Sequence, residues 1–358
     1  MTIKRALEDV PVDPAAEERA WAVVRTAYAQ RVPVARRSRR WPVVAVVVAV
    51  AAAAAVLSPP GRAVVDAVRR SIGVSHAAPA LFRLPAPGRL LVSGPGGAWV
   101  VSADGSKRRL GSWTEAAWSP HGLFVVGAHG DELAALEPAG GAERWTLGRP
   151  DVASPRWGGT RTDTRIAYLS GGRLRVVAGD GTGDREIGPA RAVAPVWRPE
   201  SHVVAYRARA GVAVVDVDTR RVLARHAARG VRALAWSPDG RTLAAADARV
   251  VHLWRTGAPQ LELRIPGVRA LAFAADGRLA LLRSREIVVV SGGEAQTAFE
   301  WRTPLAGLAW SPDGSWLATA IPAADQLVFV GRRGVRAVGN AARQFGGAVS
   351  LDGWVGAP

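Results

Sequence analysis

A short apolar run, an aromatic residue and then a tight turn recur six times between Trp118 and Trp310. The copies are Ala117-Trp118-Ser119-Pro120-His121-Gly122, Arg156-Trp157-Gly158-Gly159, Val196-Trp197-Arg198-Pro199-Glu200, Ala235-Trp236-Ser237-Pro238-Asp239-Gly240, Ala272-Phe273-Ala274-Ala275-Asp276-Gly277 and Ala309-Trp310-Ser311-Pro312-Asp313-Gly314. Their aromatic positions lie 39, 40, 39, 37 and 37 residues apart. A period near 40 with strand-type patterning predicts an all-β fold, a seven-bladed β-propeller in which each repeat is one four-stranded blade. Leu81–Leu84 with Pro85-Ala-Pro-Gly88 reads as a degenerate first copy that makes seven. Ala348 to Trp354 imitates a strand and turn that could complete a blade and close the ring, and the sequence leaves open whether it does.

Within the best-preserved repeat, Val231 to Trp236 reads as an inner strand, Ser237–Gly240 as a turn and Thr242 to Ala246 as a second strand. A third strand follows over Arg249 to Trp254, and an outer one over Gln260 to Ile265. Proline suits position i+1 of a type I turn and glycine i+3, while the tryptophan ahead of them offers a large apolar area for packing between blades. The pattern resembles the TolB-like, or WD40-like, propeller repeats of bacteria. Trp-Ser-Pro-Asp-Gly at 236–240 and 310–314 carries the resemblance, as do Trp99 to Leu110 and Leu174 to Ile187, each similar to that family's third strand, Asp-Gly turn and fourth strand. It spans residues 80–340 and implies the fold far more specifically than a function. Arg255 stands where a true WD40 repeat ends in aspartate, which favours the TolB-like form.

Ahead of the repeats, Trp41 to Leu57 is an uncharged apolar run of 17 residues, at the short end of what spans a bilayer as a helix. Six arginines fall between residues 21 and 40 and three between 58 and 77. That bias predicts a single-pass anchor with a cytoplasmic N-terminus and an exported propeller, Arg36, Arg37, Arg39, Arg40 and Trp41 sitting at the membrane interface. A cleaved signal peptide competes: Ser38-Arg39-Arg40 resembles the start of a twin-arginine signal, but Trp41-Pro42-Val43 departs from it. The expected organisation is a cytoplasmic tail over 1–40, a transmembrane helix over 41–57, a stalk over 58–79 and the propeller over 80–358. In the tail, Asp13-Pro14 opens a short helix whose Trp21, Val24 and Tyr28 share one face. That stripe either rests on the inner leaflet or docks a cytoplasmic protein, which makes these three the candidate partner-binding residues.

The formal charge of +17 comes from 47 basic and 30 acidic residues, and only Lys4 and Lys107 are lysines. Arginine, alanine, valine, glycine and proline all have GC-rich codons, so genome composition explains part of that load. Along the sequence the arginines are spread over every repeat rather than gathered in one stripe, which argues against nucleic acid as the partner. Cysteine is absent, excluding disulfides, thiolate metal sites and cysteine nucleophiles.

No chemistry emerges from the remaining motifs. The six histidines show neither metal-ligand spacing nor, along the sequence, a neighbouring carboxylate pair. Asp239, Asp276 and Asp313 recur at one turn position, so a turn role explains them better than acid–base work. Gly171-Gly172 and Gly292-Gly293 read as hairpin turns, and Asp180-Gly-Thr-Gly-Asp184 as a hairpin tip rather than a calcium loop. The expectation is therefore no enzyme, no catalytic residue, no metal and no cofactor. The chain reads as a membrane-anchored extracytoplasmic interaction module with a protein or polymer ligand. A transmembrane sensor with an anti-sigma-like tail is the alternative, and an enzyme acting through channel-lining residues ranks third.

Overall fold

Seven antiparallel sheets follow one another along the chain, in a computed structural model that describes residues 83–357 and the short strand Ala78–Pro79. Six of the sheets are built from four consecutive strands each. In the fifth, Ala233–Trp236 pairs with Thr242–Ala246, which pairs with Val251–Arg255, which pairs with Leu261–Leu263. These strands match the expected boundaries to within a few residues. Each inner strand packs on the inner strand of the next blade, and the seventh returns to the first. The seven-bladed propeller is closed.

Closure is achieved by the end of the chain. Ser350–Val355 is the inner strand of the first blade and pairs with Arg89–Ser93, Leu90 opposite Trp354. The strand left open at the tail is thus present, and it displaces the proposed first copy. Leu84 to Gly88 forms no strand; Leu84 and Ala86 pack instead into the core under the closing strand, in contact with the cluster around Trp354 and Phe329. The inner edge of Arg89–Ser93 is filled by Ser350–Val355, which leaves Leu84 to Gly88 no edge to pair with. A one-turn helix, Ala341–Phe345, leads into the closing strand. It is tied to the first blade by the Trp99 indole, which donates to the Phe345 carbonyl at 3.1 Å, and by Lys107, whose Nζ donates to the Gln344 carbonyl at 2.5 Å.

The recurring turns owe their shape to the serine and aspartate as much as to glycine. Gly240 donates its N–H to the Ser237 carbonyl at 2.9 Å and has a φ of +64°, which glycine adopts without a Cβ clash. The buried Ser237 hydroxyl accepts the Thr242 N–H at 2.9 Å and donates to Asp239 at 2.5 Å. Ser311 does the same with Trp316 and Asp313. These hydroxyl bonds, reinforced by the backbone N–H of Arg241 or the hydroxyl of Ser315, hold both carboxyls below the usual carboxylate range. The turn role expected for these aspartates is what the geometry supports.

Among the described residues no helix is long and apolar enough to cross a membrane. The run Trp41–Leu57 lies outside the described residues, as do Trp21, Val24, Tyr28, Arg36, Arg37, Arg39, Arg40 and Trp41.

Candidate functional site: the central channel

All inner strands run the same way along the ring, because each blade alternates strand direction over four strands. They begin at the connections from the preceding outer strands and end at the aromatic residue and its turn. Between them lies a cavity of about 580 Å³ bordered mainly by the inner strands of six blades and the connections leading into them, with Arg156, Arg232, Arg269, Leu308 and Asp352 in its lining. Arg232 and Arg269 occupy the connection end, each four residues ahead of its blade's aromatic position. Arg269 reaches across to the next blade and donates to the Leu305 carbonyl at 2.9 Å.

Asp352 owes its place to a bulge. Leu91 faces Gly353 and Val92 faces Leu351, so Asp352 is the extra residue on the closing strand. A bulge re-aims a side chain that regular pleating would hold against a blade. Its Oδ2 is buried without a hydrogen-bond partner. Burial pushes the carboxyl up to about 7; a hydrogen bond with Ser93 and the charge of Arg156 pull the other way, and Glu115 adds to the rise. Glu115 is itself held at the start of the second blade's inner strand, where it accepts the Ser154 N–H at 2.7 Å. Arg156 donates to the Pro155 carbonyl at 2.7 Å. The channel therefore offers three guanidinium groups and, on Asp352, one carboxyl poised near neutrality. It is equipped to bind a polar or charged group.

Outside the channel, structure corrects two readings of the sequence. His202 is flanked by carboxylates after all, its Nδ1 paired with Asp218 and its Nε2 3.8 Å from Asp163. His252 lies 3.1 Å from both Asp247 and Glu262. The partners lie five to 39 residues away along the chain, in turns or on an adjoining strand, and only folding brings them to the rings. Both clusters join neighbouring strands or blades, and among the described residues no group of three or more such side chains could hold a metal ion. Asp184 is no mere hairpin tip: it turns inward to accept bonds from Arg175 at 2.5 Å, Arg149 at 2.8 Å and the Tyr168 hydroxyl at 2.5 Å. Gly171-Gly172 and Gly292-Gly293 do form the hairpin turns expected, all four with positive φ. Channel residues Arg156 and Asp352 were missed; only their shared place on inner strands, one residue and two ahead of an aromatic, could have drawn attention to them.

Comparison with known proteins agrees on the fold. The family model for the WD domain, G-beta repeat, matches residues 218–255 and 296–330, so the chain carries WD40 repeats within its propeller. The β-propeller domain of Cps50 (Swd1) from Myceliophteria thermophila is 12% identical with a TM-score of 0.51, over 64% of this chain and 86% of that one. A chain of the mitotic checkpoint complex is 17% identical with a TM-score of 0.55, over 72% of this chain and 94% of that one. At these identities the likeness is one of fold alone. No curated protein matches the sequence.

Proposed function

We propose that this protein is a non-catalytic interaction module whose propeller binds a protein partner at the connection end of the central channel. The observation that carries this reading is the channel itself, open among inner strands and furnished with Arg156, Arg232, Arg269 and Asp352. WD40 repeats in the matched segments support it, since rigid propeller rings commonly present such ends to other proteins. The TolB-like turns and the arginine asymmetry about Trp41–Leu57 support a bacterial, single-pass anchored protein with residues 1–40 inside and the propeller outside. In the alternative, the Trp21, Val24 and Tyr28 stripe makes the tail a docking helix and the whole chain a sensor.

Two measurements test these readings. Protease added to intact spheroplasts should degrade the propeller and spare an N-terminal tag; the reverse pattern overturns the topology. Crosslinking followed by purification of the full chain should recover a discrete partner, and substitutions at the channel end should release it. Loss of the partner on Trp21, Val24 and Tyr28 replacement by alanine, with the channel intact, would favour the sensor.

A further inference from the structure

The topology sorts arginines that look scattered along the sequence. Four successive outer-to-inner connections, residues 190–195, 227–232, 264–269 and 301–305, carry Arg191, Arg229, Arg232, Arg264, Arg269 and Arg302 and no acidic residue. All six are exposed. The turns at the opposite end of the same four inner strands, residues 198–202, 237–241, 274–278 and 311–315, carry three arginines against Glu200, Asp239, Asp276 and Asp313. These connections thus bear six positive charges, whereas those turns are close to neutral. A codon bias would load both ends alike, so it does not account for the difference. The arginine-rich connections also form the rim of the channel, where Arg232 and Arg269 border the cavity.

We propose that this arginine rim docks an acidic peptide segment of the partner protein, with one carboxylate side chain entering the channel past Arg232 and Arg269. The proposal rests on the interaction-module reading and names the chemistry of its ligand. Guanidinium groups pair with carboxylates through two parallel hydrogen bonds, and a rim of one sign steers an oppositely charged partner to the opening. Asp352 deeper in the channel adds a polar end point with an unpartnered Oδ2. Other anions fit less well. Single-stranded nucleic acid sites stack bases on aromatic rings, but the only aromatic residue of the four connections is Trp301, which is half-buried and stacked on Phe299 at 6.1 Å. A lipid surface calls for apolar anchors beside the charges. The exposed large apolar residues Leu123, Val222, Leu223, Leu261 and Val335 lie instead on outer strands or at the opposite turn.

The test uses the full-length protein and a fluorescein-labelled decaglutamate peptide, read by fluorescence anisotropy. The peptide should bind, with an affinity that falls as salt rises. Changing Arg229, Arg232, Arg264 and Arg302 together to glutamine should weaken binding by about tenfold or more. The same charge change at the other end, Arg220, Arg221, Arg241 and Arg255 to glutamine, should leave it within about twofold of the parent by the same arithmetic. Both variants should melt like the parent, since all eight side chains are exposed. Equal losses in the two variants, or no binding of the peptide, would overturn the proposal. So would tighter binding of oligothymidylate or phosphatidylglycerol vesicles that depends on the same four rim arginines. A crosslinked protein partner that survives the rim substitutions would defeat this inference while leaving the interaction module intact.

Discussion

The guanidinium of Arg278 lies over the ring of Trp310, 4.6 Å from its centroid, although the two belong to different blades. Arg278 is held by Asp276 of its own turn at 2.8 Å and donates to the Gly314 carbonyl of the next turn at 2.5 Å. Arg89 repeats the arrangement over Trp118, with a bond to the Gly122 carbonyl at 2.6 Å, and Arg198 sits over Trp236 at 5.9 Å. Some of the arginine load is thus a set of clamps between blades.

Arg278→Gln should therefore lower stability by about 1–2 kcal/mol, the combined scale of a partly buried cation–π contact and one charge-assisted hydrogen bond. Equilibrium denaturation would measure it, with Arg241→Gln as an exposed control. Equal midpoints for the two variants would show that the clamp is decorative.

Gly307 sits where the seventh blade meets the closing strand. It has a φ of +70°, and a Cβ there would fall 2.3 Å from the backbone nitrogen of Leu351. Gly307→Ala should cost about 2–4 kcal/mol, because strain and a backbone clash act together. Gly277→Ala, also at positive φ but with open space around its Cβ, should cost about 1 kcal/mol. Thermal melts of the two variants compare the terms directly.

Asp184 is the buried hub of a network in which Arg175, Arg149 and Tyr168 all donate to it. Burial alone would raise its carboxyl, but the bonds from Arg175, Tyr168 and Arg149 outweigh that and hold it below the usual range. Its contribution is complete above the unfolded-state pKa near 4 and fades as pH falls through the lower folded value. Asp184→Ala strands two guanidinium groups and should cost about 3–5 kcal/mol at neutral pH, with a smaller deficit in acid.

Asp352 has the opposite sign. With its folded pKa pushed up to about 7, the native state holds a proton that the unfolded chain has released. Stability should fall as pH rises from about 4 to 7 and level off above that, by something on the order of 2–4 kcal/mol. Asp352→Asn should flatten that slope and melt higher than the parent at pH 8. A parent whose stability is level between pH 5 and 8 would mean the carboxyl is ionised in the channel.

The blades were legible because their signals are local. Trp-Ser-Pro-Asp-Gly fixes a turn within five residues, and the period places the next one. The copy counted at Leu81–Gly88 was misplaced: the inner strand there is supplied by Ser350–Val355, whose Trp354 lies opposite Leu90. What escaped depends on pairing across the ring. Neither the bulge that frees Asp352 nor the gathering of Arg191 to Arg302 at one end follows from spacing along the chain. Both appear once strand direction is known. The carboxylates around His202 and His252 were hidden for the same reason.

A ring fastened by its own last strand also has a kinetic signature. The Trp99 indole and the Phe345 carbonyl meet 246 positions apart, and the first blade has no inner edge until Ser350–Val355 arrives. Blades two to seven can assemble from contacts between neighbours, whereas the first must wait for the longest loop in the molecule to close. Folding should then run in two phases, a faster one that buries the tryptophans of the middle blades and a slower one in which the open edge of Arg89–Ser93 is finally covered. Until that moment an unpaired strand edge is on offer, and a second chain is as able to take it as the first.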